Sequence, residues 1–100
     1  MSFPRLSEKE YLILDLLRAG VERFGLEMVK ESQGSLRRGT VYVTLGRMAE
    51  KGYVSSRQEK DPKDPGMPRR WYTITGEGAR ALRAADAAFA ASTIGGVDYA

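Results

Sequence analysis

Apolar residues recur along this chain with two different periods, one suited to helices and one to strands, and the change comes near Gly52. Ser7 and Glu10 stand at the spacing of a capping box. Behind them Leu12 and Leu16, flanked by Ile13 and Leu17, form an apolar face that stops at Ala19-Gly20, which predicts a first helix over about Ser7 to Ala19. A polar connection through Glu22 and Arg23 leads to "GLEMVKESQG", whose Leu26, Met28 and Val29 predict a short second helix closed by Gly34. "SLRR" then makes a tight turn into a third helix over 39–51.

Setting successive residues of that third helix about 100° apart places Val41, Leu45, Met48 and Gly52 on one side. Thr40, Val43, Gly46, Arg47 and Glu50 fall on or near the other. The first group is the expected core face and the second the expected outer face. After Gly52, which suits a helix terminator, "YVSSR" reads as a short strand, and "RWYTIT" alternates with period two, separating Tyr72 and Ile74 from Trp71 and Thr73. Between the strands, "QEKDPKDPGMPR" carries three prolines and Pro65-Gly66, so the pair is expected to form a β-hairpin with a long charged loop over 58–69. Thr75 is placed to cap a last helix, alanine-rich and running to about Ser92, with Leu82, Ala85 and Phe89 on one face. The closing "TIGGVDYA" has no periodicity and is expected to be a flexible tail over 93–100.

The elements thus run α-α-α-β-β-α: mainly helical with a small β-hairpin, the order of a winged helix-turn-helix carrying an appended C-terminal dimerisation helix. The expected units are a winged-helix domain over 1–75, the dimerisation helix over 76–92, and the tail.

Composition narrows the chemistry. The chain of 100 residues has neither cysteine nor histidine, so disulfides, thiolate chemistry and the commonest general base and metal ligand are all missing. No catalytic or metal site and no cofactor is expected, since no carboxylates gather at a spacing that suggests a shared site. No apolar run approaches the roughly 18 residues of a spanning segment and the start lacks a signal-peptide layout, so a cytoplasmic protein without membrane contact is expected.

Net charge is +3, and its distribution says more. Residues 35–70 hold nine basic against four acidic side chains, a net of +5, while the remaining residues hold seven against nine, a net of −2. A basic middle on a slightly acidic frame points to a polyanion. In a winged helix the third helix enters the major groove of double-stranded DNA. Thr40, Val43 and Arg47 are therefore the expected base-facing residues, arginine being able to make two hydrogen bonds to a guanine edge. Arg37 and Arg38 at the helix start suit phosphate, and Lys60, Lys63, Arg69 and Arg70 would hold the hairpin to the backbone.

Two segments resemble the PadR-type transcriptional regulators. "RRGTVYVTLGRMAEKGYV" is similar to that family's Gly-Thr-apolar-Tyr-Pro-x-Leu segment with its following Gly-apolar pair. "RRWYTITGEGARAL" is similar to its arginine, aromatic, tyrosine, apolar, threonine, glycine pattern. The resemblance spans roughly Leu6 to Leu82 and implies a dimeric DNA-binding repressor whose affinity can respond to a small molecule, of a class the sequence does not disclose. It also implies that Tyr42 lies near phosphate, although a structural brace at the core flank is the other reading of that residue. Two positions depart from the family pattern: Val43 stands where proline is common, and Gly46 where a longer, often basic residue is common.

Dimerisation on a palindromic operator, through Leu82, Ala85 and Phe89, is expected because two linked half-sites multiply a weak single contact. The competing reading is a winged-helix module for protein–protein contact without DNA binding. Trp71 is expected to pack on the first helix rather than to stack on a ligand.

Overall fold

The structure is a computed structural model that describes residues 6–61 and 64–98, with side chains over 6–59 and 69–90. In chain order it contains α1 (Glu8–Leu16), a 3-10 turn (Arg18–Gly20), β1 (Arg23–Phe24), α2 (Gly25–Glu31), α3 (Arg38–Glu50), β2 (Val54–Asp61), β3 (Asp64–Ile74) and α4 (Gly76–Asp98). This is a winged helix: three helices, a hairpin wing and a C-terminal helix.

The expected capping box starts α1. The Glu10 amide donates to Ser7 Oγ at 3.2 Å and the Ser7 amide donates to Glu10 Oε1 at 2.8 Å, satisfying two amides that a helix start leaves without partners. The buried seam of α1 is Ile13, Leu14 and Leu17 rather than Leu12 and Leu16, which are only half-buried. Both α3 and α4 pack on this short helix, and together they decide which side is covered most deeply. The core closes with Met28 of α2, Leu36 of the turn after it, Val41, Leu45 and Met48 of α3, and Val54, Tyr72 and Leu82.

Three expectations need correction. First, the hairpin is part of a three-stranded antiparallel sheet in the order β1-β3-β2, because the "polar connection" pairs Arg23 with Tyr72 and Phe24 with Trp71. A two-residue strand is too short to show a period. Second, much of the expected loop over 58–69 is strand, with Gln58 opposite Arg70 and Glu59 opposite Arg69, and an irregularity in register between Glu59 and Asp61. Beyond the β1 pairing, β3 has a neighbour on one side only, and an edge tolerates proline because its missing N–H can face away from the ladder. Third, α4 does not stop near Ser92 but continues to Asp98, so the part of the expected flexible tail that the structure describes is helical.

A small polar clip joins α3, the wing and α4. Gly52, at φ 82°, ends α3, in the left-handed region where a side chain would be strained. Thr75 Oγ1 donates to the Gly52 carbonyl and accepts from the Gly78 amide at 3.0 Å, so one hydroxyl closes the first helix and caps the second. Gly78 has to be bare here: a Cβ on it would lie 2.1 Å from the Tyr53 carbonyl oxygen. A second tie holds α4 to α1. Tyr11 Oη donates to Asp86 Oδ1 at 2.7 Å, and Arg18 bridges Asp86 and Asp15. Among the described residues no helix is long and apolar enough to cross a membrane.

Candidate nucleic-acid interface

The outward face of α3 is built as its periodicity requires. Val41, Leu45 and Met48 are fully buried, which turns Val43, Gly46, Arg47 and Glu50 to solvent and leaves Thr40 half-buried. Val43 is 58% exposed, whereas the other large aliphatic side chains of this helix are fully buried. Arg37 is the N-cap residue and Arg38 the first of the helix, both exposed, and no side chain caps this end. The first-turn amides therefore have no partner within the helix and present partial positive charge to whatever approaches.

Beside that helix start lies an open recess of about 450 Å³ lined by Glu8, Lys9, Gly34, Ser35, Arg37 and Thr40. Lys9 reaches it from α1, its Nζ donating to the Ser35 carbonyl at 2.6 Å. Sequence reasoning missed Lys9, since it meets Ser35 across 26 residues of chain and no local pattern links the two.

Pairing separates the cations into two sets. Among the described residues Arg37, Arg38 and Arg47 enter no salt bridge, nor do Lys9, Arg23, Lys30 and Arg83, whereas Arg18, Lys51, Arg57 and Arg80 each hold a carboxylate. Lys51 is neutralised by Glu10, 6% exposed, at 2.8 Å. Burial pushes the Glu10 carboxyl up, but the Lys51 hydrogen bond and the Ser7 amide outweigh it and hold the group below the usual carboxylate range. Arg57 is tied to Glu22 and Glu59, which braces the base of the wing against the segment before β1.

Tyr42 is half-exposed and performs the bracing role in part. Its ring lies over the start of α2 so closely that a Cβ on Gly25 would come within 2.8 Å of it. The residue nevertheless stays 44% exposed, so bracing does not take it away from the surface.

The wing arginines go to opposite faces, as the period-two alternation requires. Arg70 shares the face of Ser56 and Tyr72 and donates to Ser56 Oγ at 3.2 Å; burial pushes the Tyr72 hydroxyl above its ordinary range, and the Arg70 charge partly offsets it. Arg69 lies on the other face, its guanidinium 5.1 Å from the Phe24 ring centroid. There Trp71 meets Phe24 edge-on at 5.1 Å, with Arg57 5.7 Å from its ring centroid. The tryptophan partners shown are thus β1 and β2 residues rather than the first helix, and its buried Nε1 has no hydrogen-bond partner. Lys63 lies outside the described residues, as does the side chain of Lys60.

Of the three residues expected on the pairing face of α4, Leu82 is only 3% exposed and belongs to the chain's own core. It packs inward because α4 lies directly against α1 and β3. Ala85 is half-buried and Phe89 is 70% exposed, so Phe89, among the side chains of α4 that are described, is a large apolar group without an intrachain seat.

Known structures share this architecture. A PadR family transcription regulator from Clostridium difficile R20291 superposes with a TM-score of 0.79 at 23% identity, over 93% of this chain and 98% of that one. A second, from Eggerthella lenta DSM 2243, gives 0.75 at 25% identity, over 90% and 79%. PadR of Bacillus subtilis, solved in complex with operator DNA, gives 0.68 at 26% identity, over 80% of this chain and 46% of that one. No curated protein matches the chain. A family model, described as the transcriptional regulator PadR-like family, matches residues 13–84, from the first core position of α1 to the part of α4 that closes the core. That match takes in most of the sequence, and the chain belongs to the transcriptional regulator PadR-like family.

Proposed function

We propose that this protein is a sequence-specific DNA-binding repressor that works as a homodimer on a palindromic operator. The observation that carries the reading is the exposed surface of α3, where Arg37 and Arg38 at its start and Arg47 on its outer face point to solvent and, among the described residues, enter no ion pair. The Bacillus subtilis relative solved on operator DNA supports it. In this reading α3 lies in the major groove with Thr40, Val43 and Arg47 towards base edges. Arg37, Arg38 and Tyr42 meet phosphate together with the first-turn amides. Arg70 extends the same contact along the wing, while Arg69, resting on Phe24 on the opposite face, has the weaker claim.

The test is the salt dependence of binding to random duplex. Each neutralised phosphate contributes a slope near −0.9 in log affinity against log salt, so three cations in each half of a dimer give about −5. Arg47→Ala should weaken a selected site by about 1–3 kcal/mol more than random DNA, and Arg38→Ala should weaken both alike. Salt-insensitive or absent binding would defeat the proposal and favour a protein-contact module. Repression is checked by transcription from a promoter overlapping the selected site, which added protein should lower.

Pairing is assigned to the stripe of α4 that continues from Leu82 past the chain's own core, through Ala85 to Phe89. Removing the chain after Thr75 would also remove Ala81 and Leu82 from the core and so confuse folding with pairing. Phe89→Glu separates them: it should leave the fold intact and produce monomers in sedimentation, and a persistent dimer would exclude this surface.

A further inference from the structure

Two features of α3 are costly within the free chain and lie side by side. Val43 spreads an aliphatic side chain into water, 58% exposed, where it adds nothing to a core that Val41, Leu45 and Met48 already fill. Gly46, three residues on, is a glycine in the interior of a 13-residue helix and costs about 1 kcal/mol against alanine. Nothing inside the molecule requires it. It does not have positive φ, and a Cβ there would meet no atom within 4 Å. Positions three and four apart share a helix surface, so Val43, Gly46 and Arg47 form one patch: an apolar knob, a bare stretch of backbone and a guanidinium.

Resting on the DNA-binding reading above, we propose that Val43 is a specificity residue that recognises the 5-methyl group of a thymine, with Gly46 allowing the approach and Arg47 reading the neighbouring base. The thymine methyl is the apolar group that base pairs project into the major groove, and aliphatic side chains recognise it by contact. A protein partner would also cover an apolar knob, but Thr40, three residues before it, and Arg47, four after it, flank this one with a hydroxyl and a guanidinium suited to base edges rather than to an apolar surface. A methyl on Gly46 would stand between the helix and the groove floor and lift Val43 away from its contact.

The experiment uses the full chain and the tightest duplex recovered from a random library, with each thymine replaced singly by deoxyuridine. This change removes the methyl and leaves base pairing intact. At one thymine in each half-site the replacement should weaken wild-type binding about fourfold, the worth of one buried methyl. Val43→Ala should bind the thymine and deoxyuridine duplexes equally, whereas Arg47→Ala should keep the difference. Gly46→Ala should unfold no more easily than wild type, yet bind both duplexes on the order of tenfold more weakly. If no thymine responds while salt-sensitive binding persists, or if Val43→Ala still discriminates, the methyl contact is overturned and the DNA-binding reading stands. If no duplex binds at all, both fall.

Discussion

Thr75→Val removes one hydroxyl and keeps the side-chain volume, so it tests the clip that joins α3, the wing and α4 without opening a cavity. The hydroxyl makes two bonds. It accepts from the Gly78 amide as the cap of α4, and it donates to the carbonyl of Gly52, where α3 ends. Loss of an N-cap costs about 1 kcal/mol, and an ordinary intramolecular hydrogen bond is worth about the same, giving about 2 kcal/mol in all. The two bonds cannot be replaced cheaply, because the close approach of Gly78 to the Tyr53 carbonyl leaves no space for a compensating shift. Urea unfolding followed by circular dichroism measures the loss: with a slope of about 1 kcal/mol per molar, the midpoint should fall by roughly 2 M. Thr75→Ser, which retains the hydroxyl, should recover most of it. A fall worth less than about 0.5 kcal/mol, or a serine variant no better than valine, would show that packing rather than these bonds holds the junction.

Glu10 links stability to pH. Its carboxyl is held below its usual value of 4.5, so its contribution is fully present above that value and is lost as pH falls through the depressed one. The urea midpoint of wild type should exceed that of Glu10→Gln at neutral pH, and the gap should close on acidification below about pH 4.5; a gap independent of pH would remove the Lys51 ion pair as its cause. Asp86→Ala should cost about 1–2 kcal/mol, since it strands the half-buried Tyr11 hydroxyl as well as releasing Arg18. Faster amide exchange in α4 should accompany the loss, and unchanged exchange would show that the helix is held by its buried apolar residues and the Thr75 clip rather than by Asp86.

Much of this protein was legible from local pattern. The Ser7–Glu10 box, the Thr75 cap and the Gly52 stop are decided by residues within a few positions of each other, and each stands where the pattern puts it. The face of α3 was legible because Val41, Leu45 and Met48 recur at helical spacing and can be buried together in only one orientation. The opposed faces of Arg69 and Arg70 were also within reach, had the alternation read from Tyr72 and Ile74 been carried two residues back. What local pattern misjudged was the allocation of surfaces that more than one neighbour could cover. Leu82 and Phe89 look alike on the helix wheel of α4, yet one closes the core and the other faces solvent.

The sequence by itself determined the order of the elements, the core side of the third helix and the basic character of the middle, because each depends on spacing along the chain. Only the tertiary structure decided which cations remain without a carboxylate. Glu10 meets Lys51 across 41 residues, and Arg18 meets Asp86 across 68. Such pairs depend on how α1 lies against α3 and α4, and no periodicity records that. The same packing turned β1 into a third strand and drew Leu82 inward. It left Arg37, Arg38 and Arg47 exposed and, among the described residues, outside any ion pair, beside the bare flank of Gly46, because burying Val41, Leu45 and Met48 turns the rest of α3 to solvent.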